Sequence, residues 1–314
     1  MGRYIFRRFI YIIPTFLMLT LLVYAILALS PSDPVALILG PTATQEQHEQ
    51  LREEMGFNDN IVVRYVRYMS QLAKGDMGIS WISQTSVMKE FSARLPNTLI
   101  LTGWALILTI IIGIPLGVLA AVYQNRMVDR VTMIFAMLII ALPSFFLGLL
   151  AQLLFCLRLG WLPVTGAATW KHFILPSFIL AASRIAGQIR MTRSSMLDVT
   201  SQDYIRTANA KGASKMRVIF YHALRNGLLP VITNIGNNVG GIVAGAVTVE
   251  TIFAVPGIGS MLVTSVRTSD IPSVMGPIIF ISLLVCTVNL LVDILYAVID
   301  PRVRQQYAKR RRAS

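Results

Sequence analysis

A chain of 314 residues that is 55% apolar and 14% charged, with a formal net charge of +13 and a mean hydropathy of +0.65, carries too few charges for a water-soluble domain of this size. Its basic balance does not point to nucleic acid, because the 28 Lys and Arg residues are split among short pieces beside apolar runs rather than gathered on one folded face. The two cysteines, Cys156 and Cys286, lie inside apolar runs without metal-ligand spacing, so they read as packing residues.

In chain order, the first apolar run covers residues 9–29 and follows Arg3, Arg7 and Arg8. Its apolar stretch of about 21 residues exceeds the 7–15 of a signal peptide, so it is read as a retained membrane anchor. Further runs cover 98–123, 131–157, 173–189, 229–253 and 275–299. A helix needs about 20 such residues to cross the hydrocarbon core. The expectation is therefore an all-α membrane protein with about six transmembrane helices. Run four is the weakest, because Arg184 and Gln188 interrupt it. Most of the cations fall in the segments that a cytosolic N-terminus and six crossings would place inside, among them Arg126, Arg130, Arg190, Arg193, Arg225, Arg302 and Arg304. Both termini are accordingly predicted cytosolic. The tail residues Lys309, Arg310, Arg311 and Arg312 suit anionic headgroups.

Residues 30–96 form an outer segment too long for a simple connection. Thr44 starts a predicted helix that ends near Gly56, and a second amphipathic stretch from Ile61 is stopped by Gly75. A third, from Ser86, places Val87, Phe91 and Leu95 on one face before Pro96 and the second span. This helical extracytoplasmic insertion either docks a substrate-delivering protein or shapes the entrance, or it merely packs over the bundle.

Residues 200–230 form a basic, polar segment between two strongly apolar runs. Thr200 and Asp203 have capping-box spacing. Ala208 and Ala210 keep the next turns slim, and Gly212 suits a left-handed helix end. Ser214 can cap a restarted helix, with Pro230 in the first turn of the following span. A slim helix with cations, held at a membrane surface, suits insertion into a groove on another protein.

This segment resembles the cytoplasmic "EAA" loop of ABC importer permeases, with Arg206, Thr207 and Ala208 at the Glu-Ala-Ala positions and Gly212 at the glycine. Arg206 departs from the glutamate of the general pattern, and the proline falls late, at Pro230, as is usual for the peptide/nickel branch. Other words similar to that branch are HALRN over 222–226, the turn Ser32, Asp33, Pro34, the stretch GDMGIS over 75–80, ETIF over 250–253, PGIG over 256–259 and NLLVD over 289–293.

The resemblance implies a transport subunit with no ATPase motif of its own, forming half of a translocation pathway for di- or oligopeptides delivered by an extracytoplasmic solute-binding protein. Its implied partners are a second permease, in this branch more often a distinct homologue than an identical copy, and two cytosolic ABC ATPase domains that carry ATP-Mg. The implied location is the bacterial cytoplasmic membrane. The implied coupling residues are Asp203, Arg206, Thr207, Ala208, Ala210, Lys211 and Gly212. The same architecture also serves nickel, metal chelates and glutathione.

The residues themselves leave more open. Asn234, Asn237, Asn238 and Gly241 recur at helical spacing in run five, a polar stripe that suits a water-filled path or a tight interface between two permease chains. Gly236, Gly240, Gly241 and Gly245 permit close helix approach, as do Gly113 and Gly117 in run two. Intramembrane charges are candidate sites by default. By depth, however, Arg184 can snorkel to the inner surface and Asp293 lies near the same interface. Glu250, near the outer end of run five, is a candidate for an outer gate.

No G-x-x-x-x-G-K-[ST] loop occurs, so the chain does not bind ATP by that route, and no H-E-x-x-H or G-x-S-x-G occurs either. No cofactor, metal or nucleic acid is expected on this chain. The expected organisation is 1–29 (cytosolic end and first span), 30–96 (outer subdomain), 97–300 (core with coupling loop 190–228) and 301–314 (basic tail). A secondary transporter or a membrane scaffold is the alternative of another class.

Overall fold

The computed structural model describes residues 2–29, 34–40 and 43–299. Residues 30–33, which include Ser32 and Asp33 of the expected turn, the side chain of Asp293 and the basic tail lie outside the described residues. Among the described residues the chain is helical, with an isolated antiparallel bridge between Ile79 and Ser86. The helices are α1 (Gly2–Ala28), α2 (Pro34–Leu39), α3 (Gln45–Glu54), α4 (Ile61–Ala73), α5 (Val87–Val122), α6 (Met127–Ala141) and α7 (Ser144–Ala151). They continue with α8 (Lys171–Thr200), α9 (Asp203–Ala210), α10 (Lys215–Arg217), α11 (Leu224–Ile252), α12 (Ile258–Arg267) and α13 (Ile271–Ile299). α7 runs on into the π-helical turn Gln152–Arg158, and Val218–Ala223 joins α10 to α11 in the same form.

Helices occupy all six expected apolar runs, though apolarity alone certifies fewer crossings. Among the described residues, Val87–Val122, Lys171–Thr200 and Ile271–Leu291 are long and apolar enough to cross a membrane. Met127–Ala141 with Ser144–Arg158 makes a fourth if that bent pair is one span. The bend is 102° and breaks the apolar run 131–157 in two. Its cause is local. Pro143 cannot continue the hydrogen-bond ladder, and it drives the residue before it out of the helical region, so Leu142 takes φ −92°, ψ 132°. Pro96, by contrast, does not end a helix. α5 passes through it for 36 residues, held on its N-terminal side by buried Val87 and by Phe91, whose ring meets that of Phe280 edge-on at 4.9 Å.

The chain forms two compact units, the first comprising Met1–Leu99 with Ala254–Cys286 and the second Ile100–Phe253 with the residues from Thr287. In the first unit the local signals act as expected. Thr44 and Gln47 form a reciprocal capping box at the start of α3, and Asn60 caps α4 by accepting from the Val62 amide. Gly56 and Gly75 stop these helices with φ of +67° and +85°. α4 turns Tyr65 inward to pack with Tyr24, Ile271, Met275 and Ile279, and its hydroxyl is 2.8 Å from that of Thr20. The GDMGIS word also has a structural task. The buried carboxylate of Asp270 accepts from the Ser80 hydroxyl at 2.5 Å and from the Trp81 amide at 3.2 Å. Gly276 leaves room for Met77 and Val87, which a Cβ there would approach to 3.2 Å.

The second unit is built around α8, which is polar for a spanning helix because its neighbours, not lipid, cover it. Gly113 and Gly117 let α5 approach so closely that a Cβ would lie 2.8 Å from Gln188 Cβ and 2.5 Å from Thr192 Cβ. On another side, a Cβ on Gly245 of α11 would lie 3.0 Å from Leu180 Cδ1. α6 is tied to α8 by a two-pronged ion pair, with Arg193 Nε and Nη2 donating to Asp129 Oδ1 and Oδ2 at 2.6 and 2.7 Å.

Candidate functional site

Two features of the second unit carry functional promise, and both depend on α8. The first is the turn that follows it. α8 continues to Thr200, whose hydroxyl donates back to the Leu197 carbonyl at 3.0 Å. Thr200 therefore closes one helix instead of capping the next, and extended Gln202 opens α9 without a side-chain cap. The reason is that helical packing outweighs a weak capping preference: Met196 is fully buried at the end of α8. Downstream, Gly212 takes φ +78° with open space around it, and Ser214 caps α10 by accepting from the Arg217 amide at 3.4 Å. Pro230 lies inside α11, not in its first turn, because the helical run has already restarted at Lys215.

α9 has two faces. Ile205 and Ala208 are buried with Val118 and Ala121 of α5, Met196 of α8, and Val218 and Ala223 of the π-helical link. Ala208 thus packs against its own chain. Asp203, Tyr204, Arg206, Thr207, Ala210 and Lys211 are exposed. The Tyr204 hydroxyl accepts from Asn226 Nδ2 at 3.0 Å. Arg206 and Asp203 sit 4.0 Å apart, both exposed, an arrangement that contributes little to stability. Met216, Phe220 and Tyr221 add an exposed apolar flank. The result is a helix seated on three elements, with an exposed polar outer surface.

The second feature is a polar seam between α8 and α11. Arg184 Nη1 donates to Asn238 Oδ1 at 3.1 Å, Asn238 Nδ2 to the Asn234 carbonyl at 2.8 Å, Asn234 Nδ2 to Gln188 Oε1 at 3.2 Å, and Gln188 Nε2 to Thr192 Oγ1 at 3.3 Å. Gln188 and Thr192 are buried. Two of the expected pathway residues, Asn234 and Asn238, therefore bind helix to helix within one chain. Interhelical hydrogen bonds of this kind contribute about 0.6–2 kcal/mol each in a membrane. Asn237 is exposed on the neighbouring face of α11, and Glu250 is fully buried near its end, with a partner of its own. The geometry does not bring Glu250 into the seam.

Gly241 completes the arrangement. A Cβ there would lie 2.5 Å from Arg184 Nη2, so the glycine is the notch that receives the guanidinium. This corrects the expectation that Arg184 snorkels to the inner surface. Its charge stays near the middle of both helices.

The Asp129–Arg193 clamp escaped the sequence reading, as did the roles of Gln188 and Thr192. A lone Asp in the first turn of a span beside basic residues is a signal for such a pair. Nothing in the spacing of residues 129 and 193 says that they meet.

The comparisons agree with this architecture. Residues 113–305 match the family described as binding-protein-dependent transport system inner membrane component, and residues 1–102 match its N-terminal counterpart. The chain is 40% identical over 304 residues to the glutathione transport system permease protein GsiC of Escherichia coli K12, covering 97% of this chain and 99% of that one. The relatives of the same name from Salmonella paratyphi A and Shigella dysenteriae show the same identity and coverage. The fold resembles an inward-facing structure of the MetNI methionine ABC transporter, with a TM-score of 0.57 at 16% identity over 68% of this chain and 97% of that one. It also resembles an amino acid ABC transporter with histidines, with a TM-score of 0.50 at 18% identity over 68% and 94%. The helical fold, the seated α9 turn and these matches lead to one conclusion: the chain belongs to the binding-protein-dependent transport system inner membrane component family, as a multi-pass permease subunit of an ABC importer in the inner membrane.

Proposed function

We propose that this permease passes small peptides, with glutathione the first to test, and that α9 receives the stroke of partner ATPases. Glutathione is itself a tripeptide, and relatives 40% identical to this chain are named as glutathione permeases. In this reading a binding protein delivers the solute from outside, and a second permease completes the pathway. Two cytosolic ATPase domains hydrolyse ATP-Mg, and both termini of this chain lie in the cytosol.

The observation that carries the coupling role is the seating of α9. Ile205 and Ala208 are clamped among residues of α5, α8 and the α10–α11 link, so a force on the exposed face, at Arg206, Thr207, Ala210 or Lys211, moves those helix ends as one body. Close packing transmits such displacement with little loss. Nucleotide binding to the ATPases drives the motion only if it favours one arrangement over the other.

The test has two arms. Gentle extraction of the tagged chain from its native membranes should recover a second permease and at least one P-loop ATPase. Deleting the gene should lower uptake of radiolabelled glutathione or dialanine. A chain that purifies alone, under conditions that keep a known ABC complex together, contradicts the coupling role. Unchanged uptake of both solutes contradicts the cargo.

A further inference from the structure

A full positive charge near the middle of two helices that pack within a membrane needs a counter-charge or water. Arg184 has no counter-charge within the described part of the chain. Its Nη1 donates to the neutral amide of Asn238, and no carboxylate lies within ion-pair distance of its guanidinium among the described residues. The seat is nonetheless built for it. Gly241 leaves the space that the guanidinium fills, and Asn238 is itself held by the Asn234 carbonyl.

The surface beside the guanidinium is not one that faces lipid. Arg184 is half-buried, and along the exposed face of α11 run Asn237, Ala244, Thr248 and Thr251, small or polar at every position. By contrast, the bent pair α6–α7 exposes Phe135, Met137, Leu138, Phe145, Leu149 and Leu153, as a lipid-facing surface should. Asn237 lies one helical turn from Gly241, exposed at the edge of the seat of the guanidinium. Its side chain makes no hydrogen bond among the described residues. A fixed cation beside an open amide matches a carboxylate next to a peptide group, since a guanidinium can grip both carboxylate oxygens at once.

We propose that Arg184, seated on Gly241 and aimed by Asn238, is the carboxylate-binding residue of the translocation pathway, with Asn237 beside it for the adjoining amide of a peptide-type solute. This rests on the peptide reading of the cargo. Arg184 does not hold the solute tightly. It offers a compensating charge on the way through, which lowers the cost of moving an anion across a low-dielectric region. An acidic residue of the second permease is the competing source of the carboxylate, and the experiment separates the two.

The test uses the complete importer with its binding protein in proteoliposomes, with Cys156 and Cys286 replaced by Ser. Arg184→Cys should lower uptake of radiolabelled glutathione or dialanine roughly tenfold to hundredfold, the scale of a lost charge-assisted hydrogen bond. A water-borne trimethylammonium methanethiosulfonate should react with the new thiol, more slowly when solute is present, and should restore most of the uptake. The sulfonate reagent should restore none. Arg158→Gln, at an exposed position after α7, should transport normally.

Where the cysteine variant does not assemble, Arg184 of the unsubstituted importer should react with phenylglyoxal, and saturating glutathione should protect it, as read by mass spectrometry. A thiol sealed from both charged reagents in every nucleotide state points to a permease–permease ion pair and overturns the proposal. So does uptake unchanged by Arg184→Gln, or equal rescue by a neutral reagent. Absence of uptake by the unsubstituted importer overturns the peptide reading first, and is thereby distinguishable.

Discussion

α8 and the bent pair α6–α7 both belong to the second unit and both contribute to the membrane region, yet they are built on opposite rules. α8 reaches the apolarity of a spanning helix only marginally, and 67% of its most apolar window is buried. It carries Arg184, Gln188, Thr192 and Arg193, each hydrogen-bonded to a neighbouring helix or to its own next turn. The α6–α7 pair is a run of Phe, Leu, Ile and Met, much of it exposed. The lesson is that hydropathy reports lipid exposure, not depth. Among membrane helices the weakest apolar signal marks the helix at the centre, and there the polar groups that can act on a solute or a partner collect.

This contrast can be broken in order of severity. Asp129→Ala should have the largest effect, because it strands Arg193 against a nearly buried position. Removing one member of a buried pair costs about 3–5 kcal/mol. It should show as a lower unfolding midpoint in mild detergent, with partial recovery in the double variant Asp129→Asn, Arg193→Gln. Gly117→Leu should follow at about 1–3 kcal/mol, since even a Cβ meets Thr192 and the Ile189 carbonyl at 2.5 and 2.8 Å. The same measurement reads it, and a wild-type midpoint would contradict the close α5–α8 approach.

Gly212→Val should cost roughly 1–2 kcal/mol locally, from the left-handed backbone at φ +78° and not from crowding. Membrane insertion should persist while solute uptake falls. Leu150→Ala, on the exposed face of α7, should stay within about 0.5 kcal/mol of the parent and transport normally. A large loss there would mean that the lipid-like face is an interface.

Much of the fold was legible because it is written in local chemistry. The Thr44 cap, the Gly56 and Gly75 stops, the Gly212 turn and the six apolar runs all depend on residues near in sequence. The misplaced helix boundaries share one origin. Thr200, Pro96 and Pro230 each carry a boundary signal, and each is overridden by the helices around it: Met196 in the core beneath α9, Phe91 on Phe280, and a helix already restarted at Lys215. Pro143, where packing and local preference agree, broke its helix.

The same division runs through the candidate site. The asparagine stripe of α11 and the glycine notches could be seen as patterns. Their partners on α8 could not, because which helix lies opposite is a tertiary fact. Ala208 is small enough for close approach, and the surface it approaches here belongs to its own chain.

The most direct test of the central claim, that α9 is a rigid knob driven by an ATPase, is site-specific photocrosslinking on its two faces. A photoreactive phenylalanine at Thr207 should capture a P-loop ATPase subunit in native membranes, with a yield that changes when a non-hydrolysable ATP analogue is added. The same probe at Ile205 should capture only this chain. An ATPase adduct from neither position, or equal capture from both, would contradict the account.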